Sequence, residues 1–282
     1  MKGIKLYRKG GTDMTNEKDS QSQLSAQIEE FIKEQLAEHI PGYSEEQLTK
    51  ILGTAAARTR KNKKIPRIQS QLRRHIISMP AETLAASGIV IWGRRIKSLI
   101  FTTDIAIIRN CNADAVLAIY PFTPQQVISD AIIRSSYIPV FAGVGGGTTQ
   151  GLRAVTLAQD AEAQGAMGLV VNAPMTNENI NSICRHVDIP VVVTVLNEHT
   201  DIDARIEAGV SILNISAAAD TPRVVKSIRD RYPDLPIIAT GGPTAESINS
   251  TIEAGANAIS FTPPSTQELF AGMMSEYRNR EQ

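Results

Sequence analysis

Eight short runs rich in β-branched residues, each followed by a stretch with helical spacing, constrain this chain more than any other feature. They are SLIFTT from Ser98, AVLAIYP from Ala115, IPVFAGVG from Ile138, GLVVNAP from Gly168, IPVVVTVL from Ile189, SILNIS from Ser211, LPIIATGG from Leu235 and AISFTPPS from Ala258. The third, fifth and seventh open with Ile138-Pro139, Ile189-Pro190 and Leu235-Pro236. The even-numbered runs follow the related phrases NADAV, QGAMGLV, EAGVSIL and EAGANAI. The pattern recurs roughly every 50 residues, so each repeat holds two strands and two helices. Runs that are apolar throughout, rather than alternating, require a parallel sheet covered on both faces. Four such repeats close into a ring, which makes the fold α/β, a (β/α)8 TIM barrel over residues 65–282.

Residues 1–64 read as an N-terminal helical extension. SQLSAQIEEFIKEQLAEHI and SEEQLTKILGTAAARTR carry helical spacing and are joined by PGY; Ser44, with Glu46 and Gln47 behind it, opens the second. The expected role of these helices is to cover the barrel or to make a homo-oligomer. The segment 58–74 carries eight Lys and Arg but no interleaved aromatic residue to stack on bases. It reads as a solvated linker, and nucleic acid is not an expected partner. KGGTD before Met14 matches a back-translated ribosome-binding site, so residues 1–13 are read as non-native sequence ahead of a start at Met14.

The formal net charge is zero, which removes any global attraction to nucleic acid or anionic membrane. No apolar run approaches the roughly 20 residues that span a bilayer. Two cysteines, Cys111 and Cys184, are too few for a disulfide framework and are expected reduced, on helices. A cytoplasmic location is expected.

Barrel chemistry gathers at the C-terminal ends of the strands. There the sequence offers Thr102, Thr103 and Asp104; Tyr120; the loop GVGGGTTQGLR with Gly146 and Gly147; Asn172; and Thr194 with Asn197, Glu198, His199 and Asp201. Beyond these come Asn214 and Ser216, then Thr240, Gly241 and Gly242, and finally Ser260, Thr262 and Ser265. Gly241 and Gly242 follow the seventh strand, where bare amides and a helix N-terminus suit a phosphate; a tight turn is the alternative. Gly146 and Gly147 form a second anion candidate or a lid. Among four histidines, His199 alone falls at this face, beside Glu198 and Asp201. That cluster suits acid–base work or a divalent metal held by Glu198 and Asp201, unless Thr200 or Asp201 merely caps the next helix. After Lys97 the one lysine is Lys226, on a helix outside the barrel, so no Schiff-base nucleophile faces the interior.

ATGGPTAESINSTIEAGANAIS resembles the seventh and eighth units of the ribulose-phosphate-binding barrel superfamily, which includes ketodeoxyphosphogluconate aldolase, thiamine-phosphate synthase and the glycerol antiterminator regulator. From IPRIQSQLRRHIISMP through KSLIFTTDIAIIRNCNADAVLAIYPFTP onward, about residues 65–282, the chain is similar to a bacterial barrel family loosely described as hydrolases or aldolases. The superfamily resemblance implies a phosphorylated ligand at Gly241 and Gly242. Its aldolase pattern would place a lysine on strand six, where this chain has Asn214.

The expected function is an enzyme on a small phosphorylated or carboxylated metabolite. Gly241, Gly242, Ser265, Gly146 and Gly147 bind the anion. His199 and Glu198 move protons, and Asp104, Asn172 and Asn214 orient the substrate. Lyase or isomerase chemistry without a Schiff base leads. Hydrolysis, or a metabolite-sensing regulator without chemistry, is the alternative.

Overall fold

The chain divides into two units, Met1–Ile68 and Gln69–Gln282. The computed structural model describes residues 76–280 and Ile68. The helices expected over residues 20–60, the segment 58–74 and residues 1–13 therefore lie outside the described residues.

All eight expected strands form. In chain order the barrel is β3 (Ser98–Phe101), α1 (Ile105–Arg109), β4 (Ala115–Ala118), α2 (Gln126–Ser135), β5 (Val140–Gly145) and α3 (Leu152–Ala163). It continues through β6 (Gly168–Val171), α4 (Asn177–Cys184), β7 (Val191–Val195), α5 (Ile202–Glu207), β8 (Ile212–Ile215), α6 (Thr221–Arg231), β9 (Ile237–Thr240), α7 (Ala245–Glu253), β10 (Ala258–Phe261) and α8 (Thr266–Arg280). The strands are parallel and close in sequence order, with β10 pairing β3. Burial on both faces explains the apolar runs: Val191, Val193 and Val195 of β7 pack outward against the helices, while Val192 packs inward.

Ahead of the barrel lies a hairpin that the strand count did not anticipate, β1 (Ile89–Ile91) and β2 (Arg94–Ile96). Its two turn residues, Trp92 and Gly93, have φ of 47° and 76°. Positive φ at both central positions matches the right-handed twist of the flanking strands. Ile89, Ile91 and Ile96 pack with the inward residues Leu99, Leu117, Phe141, Val170, Val192, Ile212 and Ile238. The Gly88 amide donates to Asn257 O, just before β10 begins, so the hairpin plugs the barrel at the strands' N-terminal ends. The opposite end is left for the loops.

Both cysteines are free. Cys184 ends α4 as expected, whereas Cys111 follows α1 in a short bridge to Ile77. Among the described residues no helix is long and apolar enough to cross a membrane.

Candidate functional site

A strand presents alternate residues to one face, so two steps along it return to the same side. Five neighbouring strands use that step in the same way. Their inward apolar residues Val170, Val192, Ile212, Ile238 and Ala258 belong to the plugged interior. Two residues on, toward the C-terminal ends, stand Asn172, Thr194, Asn214, Thr240 and Ser260, and all five line one cavity of about 340 Å³. Ser216 and Thr262 complete this polar half. The other half is apolar, built by Phe101 of β3, Leu117 of β4 and Ile119 just beyond it, with Leu196 just beyond β7.

The polar half is wired internally. Thr194 pairs in register with Asn214 across β7 and β8. Thr194 Oγ1 donates to Asn172 Oδ1 at 2.9 Å, and Asn214 Nδ2 donates to Thr194 Oγ1 at 3.2 Å. Asn214 is 5% exposed, and its Oδ1 has no partner among the described residues. A buried acceptor without a hydrogen bond costs about 1–3 kcal/mol, so this atom needs an explanation.

A second cavity of about 340 Å³ shares Ile119, Asn172 and Ala173 with the first. Its walls are the Tyr120–Pro124 segment and the glycine loop. The Tyr120 hydroxyl accepts from the Gln125 amide at 2.8 Å. The expected anion donors of that loop are engaged within the protein: Gly146 N donates to Thr149 O and Gly147 N to Pro174 O, each at 2.9 Å. A side chain at Gly146 would run into Asn172 O at 2.4 Å, so close backbone approach accounts for that glycine. The described residues lining the two cavities include no Lys, Arg, His, Asp or Glu.

Of the residues expected to form the site, the fold brings Asn172 and Asn214 together in the first cavity, and Gly146, Gly147 and Asn172 in the second. Asp104, Glu198, His199, Asp201, Gly241, Gly242 and Ser265 line neither. Asp104 is the N-cap of α1, accepting from the Ala106 and Ile107 amides. The Thr266 hydroxyl, followed by those amides, holds its carboxyl below the usual range. Asp201 caps α5 through the Ala204 amide at 3.0 Å, the alternative that its position allowed. Glu198 is exposed and receives Arg223 Nη1 at 2.5 Å; that contact and charge hold its pKa down and raise that of Arg223. His199 is exposed on the same loop, its amide donating to Asn197 Oδ1. The metal set expected at Glu198 and Asp201 is thus not assembled, and among the described residues no group of three His, Cys, Asp or Glu is gathered to hold a cation.

Gly241 and Gly242 are accounted for by the turn that contains them. Gly241 N donates to Ser260 O at 3.3 Å. A side chain at Gly241 would meet Ile259 Cγ2 at 2.7 Å and Ile248 Cγ1 at 2.9 Å, and Gly242 has φ of 76°. Thr244 and Ser247 then close the first turn of α7 with a reciprocal capping box. Ser265 is occupied by Glu268, whose carboxylate accepts from both its amide and its hydroxyl.

Thr194, Thr240 and Ser260 were visible as strand-end residues, but nothing at the level of composition singled them out. The signal that finds them is positional: a polar residue two steps after an inward apolar one, on five successive strands.

No family model matches the chain. Over 60 residues it is 45% identical to inosine-5′-monophosphate dehydrogenase of Halalkalibacterium halodurans, a match covering 20% of this chain and 12% of that protein's length. In structure it is similar to a proposed phosphonomutase from Burkholderia cenocepacia J2315, with a TM-score of 0.51, 14% identity, and coverage of 71% of this chain and 97% of the other. Phosphonopyruvate hydrolase in complex with oxalate and Mg2+ gives a TM-score of 0.51 and 15% identity over 71% of this chain and 85% of the other. At these identities the likeness establishes the fold, a (β/α)8 barrel.

Proposed function

We propose that this barrel is an enzyme acting on a small carboxylated or phosphorylated metabolite, bound at the C-terminal mouth against Asn172, Thr194 and Asn214. The observation that carries the reading is the unpartnered Asn214 Oδ1 in a cavity whose polar groups come from five strand ends. A ligand that donates here supplies the missing hydrogen bond, at the strand ends where barrels place their sites. The names of the similar proteins point the same way: inosine-5′-monophosphate names a phosphorylated compound, phosphonopyruvate a phosphonate that is also a carboxylate. Between the two classes, the lining favours the carboxylate. A phosphate dianion deep among amides and hydroxyls, with no Lys or Arg beside it, loses its hydration without a countercharge.

The reaction class is carbon–carbon lysis or isomerisation, with hydrolysis as the variant on the same site. Among the described residues no lysine is placed for Schiff-base chemistry: Lys226 lies on α6 paired with Asp230, and Lys97 Nζ donates to Leu84 O. Proton transfer falls to His199, on the loop that follows β7 and the cavity residue Leu196. Glu198, held by Arg223, sets that loop rather than titrating. The experiment is turnover of whichever carboxylated or phosphorylated compound raises the thermal midpoint of the full chain. His199→Ala should lower the rate by roughly 10²; an unchanged rate removes His199 from the reaction. A second reading, a sensor that binds without chemistry, is favoured by the near absence of titrating groups in the lining. A compound that shifts the midpoint and is recovered unaltered after prolonged incubation establishes it.

A further inference from the structure

We infer that Thr194 fixes a paired donor and acceptor in the mouth, and that the site therefore selects a hydroxylated carbonyl compound, a hydroxy acid or ketol. The inference rests on the proposed binding site and names the ligand chemistry it takes.

A threonine hydroxyl has one proton. Thr194 gives it to Asn172 Oδ1 and accepts from Asn214 Nδ2. The Asn172 carbonyl and the Asn214 amino group are thereby used inside the wire. What remains for a ligand is the Asn172 amino group, a donor, and Asn214 Oδ1, an acceptor. Turning the wire round requires both amides to flip together, and it still leaves one donor and one acceptor. The one proton cannot serve both asparagine carbonyls, so the pair never presents two donors to a bare carboxylate. A carbonyl or carboxylate oxygen on Asn172 with a neighbouring hydroxyl donating to Asn214 satisfies both groups. A ligand lacking the hydroxyl leaves Asn214 Oδ1 buried and unmet, which is a selective penalty rather than a loss of contact area. Phe101, Leu117 and Ile119 across the cavity take the carbon skeleton. Thr194 is a positioning residue here, acting through the two asparagines.

The test is titration calorimetry of the full chain with three compounds of one four-carbon chain: 3-hydroxybutyrate, 3-oxobutyrate and butyrate. Wild type should bind 3-hydroxybutyrate at least roughly tenfold more tightly than either of the others, a difference of about 1.4 kcal/mol. Thr194→Ser keeps the wire and should keep that order. Thr194→Val removes the wire and should bring the three affinities within about threefold of one another. Equal binding of all three by wild type overturns the inference while leaving the cavity as a ligand site. Loss of the preference in Thr194→Ser as well as Thr194→Val overturns it too, since packing rather than the hydroxyl would then matter. Binding of none of the three by wild type also overturns the inference, while the site itself stands or falls with the thermal-midpoint panel. The wild-type ranking decides the matter even where a variant does not fold.

Discussion

The two ends of the barrel interior are built from the same strands and do opposite work. At the hairpin end, Leu99, Phe141, Val192 and Ile212 pack with Ile89, Ile91 and Ile96 into an apolar plug. One step of two residues higher, Thr194 and Asn214 stand on the strands that carry Val192 and Ile212. The plug is satisfied by packing alone. The mouth keeps a buried acceptor that nothing among the described residues satisfies. Within the barrel interior, apolar packing thus fills one end and a polar cavity with unmet hydrogen-bonding capacity occupies the other.

Substitutions sharpen this contrast, and the largest effect belongs to the plug. Phe141 is 1% exposed, and truncating it to Ala should cost about 3–5 kcal/mol in denaturant unfolding, from lost transfer energy plus a cavity. Gly241→Ala comes next, because the added methyl meets Ile259 and Ile248, both buried side chains. Overpacking there should cost about 1–3 kcal/mol. Were the glycine pair instead an anion cradle, the variant would lose affinity for phosphorylated compounds while unfolding at nearly the wild-type denaturant concentration. Asp104→Ala is the smallest, about 1 kcal/mol from a lost helix cap. Its sign with pH follows from a carboxyl held below the ordinary value. The contribution is complete above the unfolded pKa, near 3.8, and fades as pH falls through the lower folded value. The gap between wild type and Asp104→Ala should be steady near neutral pH and close in acid, as read by unfolding across that range.

The barrel was legible because closing a parallel sheet demands eight apolar runs, and a pattern repeated eight times survives ambiguity in any one of them. The hairpin was less legible. Its strands are three residues each, and the Trp92-Gly93 turn carries Gly at one of its two positive-φ positions. Part of the candidate cavity's polar lining was legible. Asn172 and Asn214 stood at strand ends, where position alone selects them. Ionisable residues such as Glu198, His199 and Asp104 drew the eye because chemistry favours them, yet caps and ion pairs use the same side chains. Asp104 caps α1, and Glu198 is taken by Arg223 from α6, a partner distant in sequence. The glycine pair after β9 was ambiguous for a related reason: a backbone that must approach Ile259 and one that must approach an anion both require Gly.

The most direct measurement is the thermal midpoint of wild type and Asn214→Val, with and without each member of a panel of hydroxylated carboxylates. Without ligand the two should differ little, since the substitution removes an unsatisfied acceptor along with one hydrogen bond. With a ligand at about 100 times its dissociation constant, wild type should rise by roughly 5 °C or more and Asn214→Val should not move. An equal rise in both proteins, or one abolished by Gly241→Ala while Asn214→Val retains it, would place the ligand elsewhere and contradict the assignment of the mouth.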